Sequence, residues 1–219
     1  MIASYLRYKF QAKNVFHIHS PFVYDFVTKV LNDKTPNTDY DKMYRLSRLL
    51  DKRKHYGYSK RRKAKLLYRI VRYFDPEAML CVGSMTALNM NALALGKMQA
   101  KVFLEQVPSY LETLNAMGVV NVCALQPADA DHLVSQNADL VFFAHNAVQD
   151  EYEGFLADCF NHKTSDSIFI FEGIHRSSEA EEIWNRVIDD EDVSLSIDLY
   201  HIGLIFFRVG IEKQDFVLK

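Results

Sequence analysis

Beyond Pro76 the chain alternates between short apolar runs and longer amphipathic segments. The apolar runs predict strands at 78–82, 101–104, 119–124, 139–143 and 167–171. The segments between them predict helices near 86–96, 108–117, 129–136 and 149–161. This alternation favours an α/β fold with a mainly parallel sheet and helices on both of its faces.

The last part of the chain follows a different pattern. A helix is predicted over 177–188, with Ser177 or Ser178 as its N-cap. Two strands follow at 193–199 and 202–209, with almost nothing between them. So short a connection makes an antiparallel hairpin, because a parallel return needs a long crossover. Five parallel strands and this terminal hairpin predict a seven-stranded mixed sheet.

The first third of the chain has helical patterns only. Apolar residues recur at helical spacing behind Ser20-Pro21, a good cap and a good first-turn residue. Further helices are predicted over 40–50 and 60–74, the second with one apolar stripe. Asp75-Pro76 ends that helix, which predicts a helical extension at 1–75 and an α/β domain at 76–219.

The charge is divided unevenly between these two parts. Residues 1–75 carry 18 Lys and Arg against 6 Asp and Glu, whereas residues 76–219 carry 8 against 22. The basic residues are densest between Lys52 and Lys65, with aromatic residues among them, a composition that suits contact with nucleic acid. Two other interpretations are a solvated face that complements the acidic part and a surface for self-association into a homo-oligomer.

The cysteine spacing and the lengths of the apolar stretches argue against several classes of protein. The three cysteines, Cys81, Cys123 and Cys159, are far apart and match neither a disulfide framework nor a zinc site. No apolar stretch is long enough to cross a bilayer, and the first residues contain no signal-peptide core. We therefore expect a cytoplasmic protein that does not contact a membrane.

One strand-to-helix turn has the outline of a nucleotide-cofactor site. Gly83 follows the apolar run 78–82, and Glu105 lies 22 residues beyond it at the end of the next strand. An acid near that spacing accepts hydrogen bonds from ribose hydroxyls in dinucleotide folds. The later glycines of the dinucleotide fingerprint are replaced by Met85 and Ala87, which argues against NAD.

Three tracts carry a resemblance to a known family. They are His19-Ser20-Pro21-Phe22-Val23-Tyr24-Asp25-Phe26, the tract from Phe169 to His175, and Ile197-Asp198-Leu199 followed by 203–208. With the seven-strand ending, they resemble bacterial methyltransferase-like proteins, common in Bacteroidetes, of the class I S-adenosylmethionine-dependent methyltransferase fold. The resemblance covers nearly the whole chain. It implies S-adenosylmethionine as cofactor, held by Gly83, Ser84, Glu105 at the ribose and Asp129 at the adenine.

The chain departs from the family pattern at several cofactor and metal positions. Cys81 stands where the family has an acid, and Ala87 where it has a second glycine. After the fourth strand Ala144-His145 replaces the usual Asp-Gly, and after the fifth Glu172-Gly173 replaces Asp-Asp. One remaining carboxylate does not make a magnesium site, since hard cations need several oxygen ligands. The expected enzyme is therefore independent of metal.

Methyl transfer needs a base for the proton of the acceptor. The candidates are His145, Glu172 and His175, all in loops after predicted strands, with His19 as a substrate-binding residue. Each histidine also has a structural alternative: His145 as a helix cap, His175 as a structural group before a helix, and His19 as part of the turn into its helix.

The sequence thus predicts a methyltransferase similar to O-methyltransferases that act on small molecules. The alternative is a protein of the same fold that has lost catalysis and serves as a binding or assembly module. In that case the basic region near the N-terminus would contact nucleic acid.

Overall fold

A computed structural model of the protein describes residues 5, 8, 9, 12, 19–51, 58–125, 138–145 and 150–218. The helices in these ranges are α1 (Pro21–Phe26), continued by a π-helix (Val27–Leu31), α2 (Thr38–Asp51), α3 (Tyr58–Phe74), α4 (Ala87–Gly96), α5 (Leu111–Ala116), α6 (Asp150–His162) and α7 (Ser178–Asp189). The strands are β1 (Ala78–Val82), β2 (Lys101–Leu104), β3 (Val122–Ala124), β4 (Leu140–Phe143), β5 (Ile168–Glu172), β6 (Leu195–Asp198), β7 (Ile202–Phe206) and β8 (Gln214–Val217). The helix predicted over 129–136 lies outside the described residues.

The strands form one sheet in the order β3-β2-β1-β4-β5-β7-β6-β8. Strands β2 and β3 pair in parallel, as do β4 and β5, whereas β7 is antiparallel to both β5 and β6. The terminal hairpin is therefore confirmed, but the described sheet has eight strands and the prediction of seven was wrong. The missed strand, β8, pairs in parallel with β6 at the edge. Only Phe216 of its four residues is buried, so the strand lacks the buried apolar run on which the other strands were predicted.

Most predicted elements are present, and their ends differ from the predicted ones by three residues or fewer. Strands β1 and β2 have the predicted bounds, and Ser177 caps α7 by accepting a hydrogen bond from the Ala180 amide at 3.2 Å. Strand β3 is three residues shorter than predicted at its start. The cause is Asn121, whose side-chain amide donates to the carbonyls of Ala94, Lys97 and Ala100 and holds a turn there.

The chain divides into two compact units. The N-terminal unit consists of Ile18–Met79 and Ser84–Leu125, and the C-terminal unit of Met1–His17, Leu80–Gly83 and Gln126–Lys219. The boundary at Asp75-Pro76 stays a prediction. No helix among the described residues is long and apolar enough to cross a membrane.

The core of the N-terminal unit is built around α4. All ten residues of this helix are buried, and it packs against α2 and α3. Gly96, the last residue of this helix, permits the packing, because a Cβ atom there would lie 2.7 Å from Cβ of Val71. Such a contact is far inside van der Waals distance, so the position requires glycine.

The core of the C-terminal unit is aromatic. Phe143 and Phe171 stack with ring centroids 4.7 Å apart, across the parallel strands β4 and β5. Trp184 of α7 lies directly on Gly203 of β7, where a Cβ would be 2.4 Å from the indole ring. This packing fixes the strands whose carboxyl ends carry the candidate catalytic residues.

Candidate active site

Three strands of the C-terminal unit end in candidate residues. Gly83 follows β1 with φ +83°, in the left-handed region that favours glycine. The Ala144 amide donates to the Val82 carbonyl at 2.9 Å, which places the end of β1 beside the end of β4. His145 follows Ala144 directly. The carboxyl ends of parallel strands are where open α/β sheets bind ligands.

The structure brings two of the predicted residues together at this edge. His145 Nδ1 lies 3.4 Å from Glu172 Oε2, and the two side chains are 28% and 6% exposed. His145 Nε2 makes no hydrogen bond within the described residues. The arrangement therefore has a buried carboxylate that orients one ring nitrogen and leaves the other able to accept a proton.

Gly173 makes the approach of these two residues possible. It has φ +78°, and a Cβ there would lie 3.1 Å from Cβ of His145. Its amide donates to the His201 carbonyl at 2.8 Å, which ties the end of β5 to the turn before β7. The glycine is thus required both by its backbone conformation and by the nearness of His145.

His175 has a different environment, between two carboxylates. Its Nδ1 lies 3.0 Å from Glu181 Oε1 and its Nε2 lies 2.7 Å from Asp198 Oδ2. Burial by itself disfavours the charged ring, but the hydrogen bonds and charges of Asp198 and Glu181 outweigh it and raise the pKa of His175 above its usual value. These two contacts favour the charged imidazole and occupy both of its ring nitrogens.

Tyrosines surround this charged cluster. Tyr200 stacks on His175 with ring centroids 5.3 Å apart, and its amide donates to Asp198 Oδ1 at 2.7 Å. The ring centroid of Tyr8 lies 6.5 Å from that of His175, and the Tyr8 hydroxyl donates to the Leu218 carbonyl. Sequence reasoning missed the roles of Asp198, Glu181 and Tyr200. The available signal was Asp198, an acid within the predicted strand 193–199.

The loop between β1 and α4 is fixed within the N-terminal unit. Ser84 is exposed, whereas Met85 is buried and its carbonyl accepts a hydrogen bond from the Tyr110 hydroxyl at 2.9 Å. Burial, and to a smaller extent Asp51, raises the pKa of Tyr110, so the phenol stays a donor at neutral pH. Thr86 caps α4 by accepting from the Asn89 amide at 3.3 Å.

Cys81 bears on how well the residues fit S-adenosylmethionine. It is completely buried, and burial raises the pKa of its thiol to about 12. The side chain is neutral at physiological pH and supplies no negative charge where the resembling family has an acid. Gly83 has the left-handed backbone that lets a ligand approach closely. A charged acceptor for the amino group of the cofactor is absent at Cys81.

Two further predicted residues, Glu105 and His19, belong to the N-terminal unit. Glu105 follows β2 and is partly buried, and His19 is exposed directly before Ser20, the N-cap of α1. Asp129 lies outside the described residues. Within the described ranges there is no group of three or more His, Cys, Asp or Glu side chains that could hold a metal ion.

Comparison with known proteins supports the fold and leaves the family open. No family model and no curated protein matches the sequence. Solved structures do match. A methyltransferase from Podospora anserina with bound S-adenosylhomocysteine has TM-score 0.59 and 13% identity, covering 87% of this chain and 97% of that one.

Two bacterial O-methyltransferases match in the same way. The Bacillus cereus enzyme, in complex with S-adenosylhomocysteine, has TM-score 0.54 and 12% identity, over 84% of this chain and 97% of that one. TomG from Streptomyces achromogenes, in complex with S-adenosylmethionine, has TM-score 0.53 and 14% identity, over 85% of this chain and 95% of that one. The chain therefore has the Rossmann-like α/β fold of these methyltransferases.

Proposed function

We propose that this protein is an S-adenosylmethionine-dependent methyltransferase that methylates an oxygen of a small-molecule acceptor without a metal ion. The observation that carries the proposal is the His145–Glu172 pair at the carboxyl ends of β4 and β5. A fold shared with O-methyltransferases supports the reaction class. The missing acid at Cys81 predicts weaker cofactor binding than a complete motif would give.

The pair has the parts of a general base. When bound, S-adenosylmethionine supplies a methyl group on a sulfonium, which leaves acceptor deprotonation to the protein. His145 Nε2 takes the proton from the acceptor hydroxyl. Glu172 accepts the hydrogen bond from Nδ1–H, which fixes the tautomer and stabilises the imidazolium as it forms.

His175 and His19 take other roles in this proposal. Both ring nitrogens of His175 are already bonded, so it acts as a positioning residue that holds the β6–β7 hairpin to the segment after β5. His19 is exposed and remains the proposed substrate-binding residue. Gly83, Ser84, Glu105 and Asp129 would hold the cofactor, with Glu105 at the ribose.

Calorimetric titration with S-adenosylhomocysteine tests the cofactor. We expect saturable binding that Glu105→Gln weakens about tenfold, the cost of one charged hydrogen bond. Glu112→Gln is the matched control, because Glu112 is an exposed acid on α5. It should bind like the wild type. Absence of heat at about 1 mM ligand would remove the cofactor from the proposal, since binding that weak is worth only about 4 kcal/mol.

The second candidate function is a catalytically inactive binding module that contacts nucleic acid through α3. Four consecutive cationic residues open this helix, and two of them, Lys60 and Arg62, are exposed. Arg61 instead lies over the Tyr44 ring at 5.1 Å. The rest of the basic stretch, 52–57, lies outside the described residues.

Retention of single-stranded RNA at several salt concentrations tests this second function. Replacing Lys60 and Arg62 by Gln should reduce binding and lower its salt dependence, because each phosphate contact releases counterions. Replacing Arg45 and Arg48, two exposed cations of α2, is the control. Equal losses in both pairs would indicate general electrostatic attraction and count against a site on α3.

A further inference from the structure

A cavity lies in the N-terminal unit, and neither proposed function uses it. Its volume is about 330 Å³, and it lies among the π-helix, the loop 33–37, α2 and α3. Tyrosines and cations make up most of its side-chain lining: Tyr40, Tyr68, Tyr73, Lys29, Arg69 and Arg72. Ligand pockets begin at about this size, so the cavity suits a small molecule.

The wall formed by the loop 33–37 is fixed by hydrogen bonds. The Tyr68 hydroxyl donates to Asp39 Oδ2 at 2.5 Å and accepts from Asn37 Nδ2 at 3.1 Å. Asp33 Oδ1 accepts from the Thr35 amide at 2.8 Å. The loop therefore has its shape before any ligand arrives, which reduces the entropy cost of binding.

The cationic side chains are arranged for an anion. Arg69 and Arg72 are three residues apart on α3 and lie on one face of it. Arg69 is anchored by donating to the Asp33 carbonyl, whereas Arg72 is exposed and has no ion pair within the described ranges. Lys29 pairs with Asp25 at 2.9 Å. Among the described residues that line the cavity, Asp33 is the one acid, against the three cations Lys29, Arg69 and Arg72.

Tyr40 supplies an aromatic wall. It is buried, and its hydroxyl has no hydrogen-bond partner among the residues that the structure describes. Tyr68 packs edge-on against it with centroids 5.3 Å apart, and Lys65 Nζ lies 4.7 Å from its ring centroid. These contacts fix the orientation of the Tyr40 ring in the lining of the cavity.

We propose that this cavity binds a small aromatic phosphate ester, with its ring against Tyr40 and its phosphate on Arg72 and Lys29. Two features select this chemistry over a simple anion. Arginine matches the geometry of phosphate oxygens, and the excess positive charge suits a dianion. The tyrosines supply contact area that inorganic phosphate would leave unused.

Calorimetric titration with phenyl phosphate at low ionic strength tests the site. We expect saturable binding that Arg72→Gln weakens about tenfold or more. Lys29→Gln should also weaken it. Both side chains are exposed, so the variants should fold. Arg48→Gln, an exposed arginine of α2 outside the cavity, is the matched control and should leave the affinity unchanged.

Three results would overturn the proposal. The first is no binding of phenyl phosphate by the intact protein. The second is an equal loss of affinity in Arg72→Gln and Arg48→Gln, which would indicate attraction to the basic surface as a whole. The third is binding of inorganic phosphate as tight as that of phenyl phosphate, which would show that the aromatic wall contributes nothing.

Discussion

Two histidines of the C-terminal unit follow successive parallel strands and differ in nearly every other respect. His145, after β4, has one ring nitrogen near one carboxylate and is 28% exposed. His175, after β5, has both nitrogens bonded to carboxylates and a tyrosine stacked on its ring. From sequence the two were equal candidates for the base. Their hydrogen-bond partners make His145 the better candidate, because a proton acceptor needs a ring nitrogen that no other group occupies.

The same comparison explains which of the two should matter for folding. His175 joins the segment after β5, the first turn of α7 and the end of β6. His145 is bonded to one neighbouring strand end. We therefore expect loss of His175 to act on stability and loss of His145 to act on catalysis.

The largest expected effect is that of His175→Ala. Removing the imidazole leaves Asp198, which is 12% exposed, without its charged partner. Breaking a buried ion pair in this way should lower the free energy of unfolding by about 3 kcal/mol. Urea denaturation measures it. His162→Ala, at an exposed histidine of α6, is the control and should cost less than about 0.5 kcal/mol. Similar losses in both variants would contradict the proposed role of His175.

The His145→Ala variant should have the opposite pattern. Loss of a general base should slow methyl transfer about hundredfold, whereas the unfolding free energy should change by less than about 1 kcal/mol. Release of S-adenosylhomocysteine with a panel of small phenols measures the rate. Unchanged turnover would exclude His145 as the base.

A smaller effect should follow from Gly173→Ala, which changes the residue that packs against His145. Alanine at φ +78° costs about 1–2 kcal/mol, and its Cβ would crowd His145. The change should therefore lower both stability and methyl transfer. Gly154→Ala is the control, because Gly154 lies in helix α6 with open space around it and alanine there should stabilise. Thermal unfolding of both variants measures whether Gly173→Ala lowers stability and Gly154→Ala raises it.

The smallest effect is the pH dependence of the His175 contribution. Because Asp198 and Glu181 raise its pKa in the folded protein, the stabilisation is fully present below the unfolded pKa of about 6.5. It is lost as pH rises through the higher folded pKa. The difference in unfolding free energy between wild type and His175→Ala should therefore shrink toward alkaline pH. A difference that grows would contradict the charged cluster.

Apolar patterning predicted much of the fold because most strands here are buried on both faces. The runs 78–82 and 101–104 matched β1 and β2. Strand β8 was missed because it is an edge strand in which two of the four residues are polar and only Phe216 is buried. The start of β3 was misplaced because the Asn121 side chain, which makes the turn, acts through residues more than twenty positions away.

The candidate site was predictable in part for a similar reason. Strand ends are visible in sequence, so His145, Glu172 and Gly83 were each predicted to follow a strand, and in the structure each lies at a strand end or within two residues of one. Hydrogen-bond partners are not visible, and His175 needed Asp198, 23 residues later, before its environment could be known. Cys81 was recognised as a replaced acid. Its burial then explained why the thiol stays neutral.

The most direct test of the methyltransferase proposal is a crystal structure of the protein grown with S-adenosylhomocysteine. We expect ligand density at the carboxyl end of β1, with Gly83 and Ser84 in contact with the ligand and Glu105 accepting hydrogen bonds from its ribose hydroxyls. Absence of density at saturating ligand, or density only elsewhere on the protein, would contradict the proposed enzyme.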